Sequence, residues 1–284
     1  MRIAVLADIH SNLAALEAVI ADIDTWNPHA VAVAGDIINR GPRPRECLDL
    51  ILGRQQRDGW RVIRGNHERY LIEAIQQPAI LSGIDASVRI SVLWGVARLG
   101  GIDQLVGLPE CESITGPDSS LVRIVHASMR HDRDNIFEST SDTELRKQID
   151  AYAAVFCCGH THWPVRRRVD STLVVNVGSV GLPFDGDPRA AYARLNWDAG
   201  RWDANIMRVA YDRDRARADF EATGFLDACG ATARIIQAEL DDARGHIADW
   251  LTSYDARVRR GDLSAEESAR QYLNDIASRS YSRG

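Results

Sequence analysis

The chain has 284 residues, 45% hydrophobic and 26% charged, the balance of a globular protein of one large domain or one domain with an appendage. A formal net charge of −6 excludes the basic face of a polyanion-coating protein, so stable nucleic-acid binding is not expected, while a small anionic substrate met by a few arginines is compatible with it. No apolar run approaches membrane-spanning length, and five scattered cysteines (Cys47, Cys111, Cys157, Cys158, Cys229) offer no disulfide framework; the expectation is a cytoplasmic protein with no membrane partner.

Ile3 to Ala7 reads as a first buried strand, followed at once by Asp8-Ile9-His10. Side chains two apart on an extended segment point the same way, so Asp8 and His10 face one spot; the plain alternative is a helix-capping Asp with a stray His. Ser11 or Asn12 can cap a helix with the apolar stripe Leu13, Leu16, Ile20 and Ile23. Ala30 to Ala34 is a second, wholly apolar strand, closing on Gly35-Asp36 with Arg40 four residues later. This βαβ unit makes the chain an α/β protein, in which strand ends bind ligands. A carboxylate there can bridge two cations, and a guanidinium suits a phosphate oxygen.

Pro42 and Pro44 open a second helix, and Arg61 to Arg64 is a third short strand ending in Gly65-Asn66-His67-Glu68. Asn66 offers a carbonyl ligand, and His67, pointing elsewhere, can meet the substrate. Residues 69 to about 118 read as a helical excursion, with Trp94 in the core. Leu121 to Val125 is a strand closing on His126, the stretch from Glu138 to Tyr152 a helix, and Val155 to Cys158 a strand ending in Gly159-His160-Thr161-His162. Short antiparallel strands follow over 165–169, 173–177, 190–197 and 202–209. The Gly178-Ser179-Val180-Gly181 loop between them reads as a tight turn ahead of a phosphate cradle, and Arg189 is a substrate candidate. Helices are expected near 213–222, 229–259 and 264–279, the last capped by Ser264 with Glu267. That tail reads as an appendage for stability, homo-oligomer formation or cover of the site.

Asp8, His10, Asp36, Asn66, His126, His160 and His162 are all ligand types just past strand-like runs, and five of the eight histidines lie in these segments. Mixed imidazole and carboxylate donors favour Mn, Fe, Zn or similar over Mg. The ordered set Asp8-x-His10, Gly35-Asp36, Gly65-Asn66-His67-Glu68, His126 and Gly159-His160-x-His162 resembles the calcineurin-like metallophosphoesterase superfamily over residues 1 to about 209.

The resemblance implies a four-layer α/β/β/α sandwich, here a catalytic domain over 1–209 with a C-terminal helical extension over 210–284. It implies two divalent metal ions, Mn or Fe first with Zn or Ni as alternatives. Asp8, His10, Asp36 and His162 would hold one, and Asp36, Asn66, His126 and His160 the other. His67 and the bridging Asp36 would be the catalytic residues, a metal-bridging hydroxide the nucleophile, and Arg40 a phosphate-binding side chain; Asn12 and Arg189 are further substrate-binding candidates read from the sequence itself. The implied activity is hydrolysis of a small phosphodiester or nucleotide. Diadenosine tetraphosphate hydrolysis and Ser/Thr protein dephosphorylation are the alternatives, and a non-catalytic scaffold is a further class. Asn39-Arg40-Gly41 resembles the phosphatase branch, whereas Asp8-Ile9-His10-Ser11-Asn12 lacks that branch's Gly after the His.

Overall fold

The computed structural model describes residues 1–79 and 81–281. Along the chain, β1 (Arg2–Leu6), α1 (Leu13–Trp26), β2 (Ala30–Ala34), α2 (Pro44–Asp58) and β3 (Arg61–Ile63) form two successive βαβ steps, then come α3 (Asn66–Gln76), α4 (Ile84–Leu99) and α5 (Asp103–Val106). The second half runs β4 (Cys111–Thr115), β5 (Leu121–Val125), α6 (Asp142–Gln148), β6 (Val155–Cys158), β7 (Val165–Val169) and β8 (Thr172–Asn176). It continues with β9 (Ala190–Asp198), β10 (Arg201–Val209), α7 (Arg213–Ala222), α8 (Phe225–Asp242), α9 (Ile247–Arg259) and α10 (Ala265–Tyr281).

The strands form two five-stranded mixed sheets, ordered β10-β9-β1-β2-β3 and β4-β5-β6-β8-β7. In the first, β1, β2 and β3 are parallel; in the second, β5, β6 and β8 are. Alternation along the strands gives each sheet two apolar faces. Ile3, Val5, Ala32 and Ile63 face Val122, Ile124, Val155 and Val175 across the sheet-on-sheet core. Ala4, Leu6, Val31 and Val33 turn outward under Leu16, Val19, Ile20 and Ile51 of α1 and α2. On the far side Phe156, Cys158 and Val174 pack on Leu145 of α6. The layers are therefore α/β/β/α, and the carboxyl ends of β1, β2, β3, β5 and β6 open on one edge.

Several sequence expectations are corrected. The excursion over 69–118 is not helical to its end, because Cys111–Thr115 pairs antiparallel with β5. The helix expected from Glu138 to Tyr152 shrinks to Asp142–Gln148: the Ser141 side chain accepts from the Glu144 N–H, and Ile149 is already extended. The single helix expected over 229–259 is two, since Ala243 adopts left-handed backbone after Asp242 and a new helix starts at Ile247.

β10 ends at Val209, and the helices after it pack on the sandwich. Phe220 and Phe225 join Ala14 and Leu182, and Ile84 of α4 joins Ala231, Ile235 and Trp250. No helix among the described residues is long and apolar enough to cross a membrane.

Candidate metal centre

The strand ends supply the site because the chain turns sharply there. Asp8, His10, Asp36, Asn39, Arg40, His160 and His162 all have positive φ. Asp, Asn and His accept this left-handed region better than other side chains, at a local cost the surrounding structure must hold. Gly65 and Gly159 allow the close approach: a Cβ on Gly65 would lie 2.2 Å from Asp36 Oδ1, and one on Gly159 2.3 Å from Asp8 Oδ2.

Each of the two buried aspartates has one oxygen fixed and one turned inward. Asp8 Oδ2 accepts the His160 N–H at 2.9 Å, while Asp8 Oδ1 is buried without a hydrogen-bond partner, 3.4 Å from His162 Nε2 and 3.9 Å from His10 Nε2. Asp36 Oδ1 accepts the His67 N–H at 2.8 Å. Its other oxygen, Oδ2, lies 3.7 Å from His10 Nε2, 3.3 Å from His126 Nε2 and 3.9 Å from His67 Nε2. Two groups of candidate ligands result, Asp8-His10-His162 and Asp36-His126-His160, with Asp36 also grouped with His10 and His67.

The histidines are oriented by carbonyls that can only accept. His126 Nδ1 donates to Ala34 O at 2.8 Å and His162 Nδ1 to Leu182 O at 2.5 Å, which leaves each Nε2 lone pair facing the centre. His126 Nε2 then lies 2.9 Å from the Asn66 carbonyl oxygen, and His162 Nε2 lies 3.0 Å from His10 Nε2. A hydrogen on His10 Nε2 can satisfy the His162 pair, whereas the Asn66 carbonyl oxygen has none to give, so the His126 pair needs a proton or a cation between the two atoms. Burial opposes a proton on His126, yet Asp36 and, further off, Asp8 raise its pKa to about 10. A divalent cation meets the same need with all donors already converging, so the residues present fit the metals expected of them.

His67 is held differently from the other histidines. Asn39 Nδ2 donates to its Nδ1 at 2.8 Å, so the ring carries its hydrogen on Nε2, facing Asp36 Oδ2. Burial keeps that ring neutral, lowering its pKa to about 3. Its ring packs edge-on against His10 with centroids 4.8 Å apart.

Glu68 is a part of the site whose role sequence reasoning missed. Its fully buried carboxylate accepts the backbone N–H groups of Asp36, Ile37, Ile38 and Gly65 at 2.7 to 3.1 Å, tying the β2 and β3 ends together. Burial, with Asp36 nearby, raises its pKa to about 7. A second such residue is Glu239 on α8, fully buried, which takes Arg40 Nη2 on both oxygens at 2.8 and 2.6 Å. Glu239 also accepts the N–H groups of His246 and Ile247, so it joins the tail to the strand-end loop. Arg40 lies over the Phe184 ring, which in turn stacks on His162 with centroids 4.2 Å apart. Glu239→Ala is expected to cost about 3 kcal/mol or more, because it strands a partly buried guanidinium and two N–H groups. An unchanged denaturant midpoint would contradict that role.

The remaining substrate candidates lie as follows. Asn12 accepts the Ala15 N–H as cap of α1 and donates to Gly181 O. Arg189 is half exposed and pairs with Asp187, away from the cluster. The loop over 178–181 is a strut: Val180 and Gly181 donate their N–H groups to Ala7 O and Asp8 O, so neither is left for a phosphate.

Residues 1–200 match the calcineurin-like phosphoesterase superfamily domain. An uncharacterized protein of Methanocaldococcus jannaschii is 29% identical over 236 residues, 75% of this chain and 89% of its own. The crystal structure of a metallophosphoesterase from Sphaerobacter thermophilus is similar at 28% identity and a TM-score of 0.65, covering 86% of this chain and all of that one. A hypothetical protein of Pyrococcus horikoshii shares the fold at a TM-score of 0.67 and 19% identity, over 83% of this chain and 97% of its own.

Proposed function

Because the chain belongs to the calcineurin-like phosphoesterase superfamily, we propose that it is a metal-dependent phosphohydrolase with two divalent cations, acting on a small phosphodiester or nucleotide. Asp8, His10, Asp36 and His162 would hold one cation, and Asp36, Asn66, His126 and His160 the other, with Mn or Fe suited to this donor set. Bound there, the pair would supply Lewis acidity, neutralising phosphoryl oxygens and activating water. The observation that carries the reading is Asp36 Oδ2, a single oxygen within 3.7 Å of imidazoles from both halves of the cluster.

The chain's own groups would do the rest. Asp8 and Asp36 are pre-set by backbone amides, so their inward oxygens need no reorganisation when charge arrives. His67 holds an N–H at Nε2 toward the centre, placed to meet an oxygen of the phosphoester, while Asn39 fixes the ring. Arg40 gives only its Nη2 to Glu239, and its Nε, buried without a hydrogen-bond partner, would remain for a phosphate oxygen. His67→Ala is expected to lower turnover by about 10²-fold or more while leaving metal content unchanged, since the ring is assigned to the substrate. Loss of metal in that variant would move His67 into the ligand set.

The activity itself is tested with bis(p-nitrophenyl) phosphate beside p-nitrophenyl phosphate, on metal-stripped protein with and without added Mn. Mn-dependent turnover of the diester is expected. Turnover of the monoester alone would replace the diesterase with a monoesterase, and turnover of both without metal would contradict the proposal.

A further inference from the structure

A cleft of about 620 Å³ begins one ring away from the metal centre. Phe184, which stacks on His162, forms part of its wall, and so does Trp163, the residue after His162. The opposite wall is Arg244, Asp249, Tyr254 and Arg257, all from α9 and the loop before it. The volume is that of a small-molecule site and is more than a phosphoryl group needs.

Two features indicate what the cleft would take. The first is unspent positive charge. Among the described residues most guanidinium groups are held by carboxylates or carbonyls, Arg259 by Asp255 and Asp85, and Arg69 by Asp132 and Glu73, for example. Among the described residues Arg244 and Arg257 are paired with no carboxylate, although both are exposed and line the same cleft; Arg257 only approaches the Tyr254 ring, at 5.9 Å. The second is an open aromatic face. Trp163 is 46% exposed in the cleft wall, which leaves part of its ring open to a stacking partner. Two carboxylates also line the cleft and oppose an anion: Asp275 is engaged by the Tyr254 hydroxyl at 2.7 Å, while the exposed Asp249 can accept from hydroxyl or amino groups of a ligand.

We propose that this cleft is a subsite, built by the C-terminal helices, for a nucleoside group carrying a second phosphate beyond the one under attack. The base would stack on Trp163, Arg244 and Arg257 would take the second phosphate, and Asp249 would accept from a ribose hydroxyl or a base amino group. The inference rests on the hydrolase reading above, since the cleft is a substrate subsite only if the adjoining centre cleaves a phosphoester.

Calorimetric titration of ADP into the full chain, held metal-free with EDTA, tests it. Binding at a single site is expected, weakened at least tenfold by Arg244→Ala and by Arg257→Ala; both residues are exposed, so the fold is retained. Arg201→Ala, an exposed arginine at the start of β10, should leave ADP affinity unchanged. Trp163→Ala should weaken ADP while sparing inorganic pyrophosphate. Binding that survives the double substitution R244A/R257A would overturn the subsite, and so would glycerol 3-phosphate binding as tightly as ADP. Failure here is separable from failure of the hydrolase reading. No ADP binding by a chain that turns over the chromogenic diester would overturn the subsite alone. ADP binding that follows the predicted variant pattern, in a chain with no metal-dependent turnover, would uphold the recognition and remove only the hydrolysis.

Discussion

Asp36→Asn is expected to abolish both metal retention and turnover, with activity falling by about 10³-fold or more, the equivalent of roughly 4 kcal/mol of transition-state stabilisation. The reason is geometric. Asp36 Oδ2 lies 3.3 Å from His126 Nε2 and 3.7 Å from His10 Nε2, so it is within reach of both halves of the cluster. An amide in its place halves the oxygen donors and adds an N–H₂ group where lone pairs converge. The backbone need not move, because the other oxygen position can still accept the His67 N–H. Metal analysis of the purified variant checks this. Retention of two equivalents would remove Asp36 from the bridging position, whatever the activity.

Glu68→Gln is expected to be strongly destabilising although Glu68 is not a candidate ligand. The carboxylate accepts four backbone N–H groups from two strand ends in a fully buried place. Gln is the same size, but its amide turns two donors toward donors. At about 1–3 kcal/mol for each buried group left unpaired, a loss of roughly 3 kcal/mol or more follows. The consequence reaches the site, because the same amides hold Asp36 and Gly65 in register. Denaturant unfolding and Mn affinity should therefore fall together. A variant as stable as the parent, with unchanged Mn affinity, would show that the strand ends hold their geometry without Glu68.

What the sequence disclosed and what it hid divide along a physical line. Ala30–Ala34 and Val155–Cys158 are legible because a parallel strand buried on both faces must be apolar throughout. The candidate ligands are legible because each follows such a run by one to four residues, where only a turn can lie. β4 was not, since only Ile114 of Cys111–Thr115 is buried and an edge strand needs no apolar run. The break between α8 and α9 hinges on left-handed backbone at Ala243, a residue that otherwise favours helix.

The supporting side chains were hidden for a different reason. Glu68 binds backbone amides some thirty residues away, and Arg40 meets Glu239 across a separation of 199 positions. Backbone amides have no residue type to recognise, and one arginine among many pairs with one acid among many. Arg189 illustrates the converse. Read alone it is a cation beside a glycine-rich loop, but Asp187, two residues earlier, already holds it.

In the proposed centre these strand ends would hold two divalent cations through one shared carboxylate, that of Asp36. Calorimetric titration of Mn into metal-stripped protein measures this without reference to any substrate. Two equivalents are predicted for the parent chain, with both lost in Asp36→Asn and both kept in His67→Ala. Saturation at a single equivalent, or no binding at all, would contradict a two-cation centre bridged by Asp36.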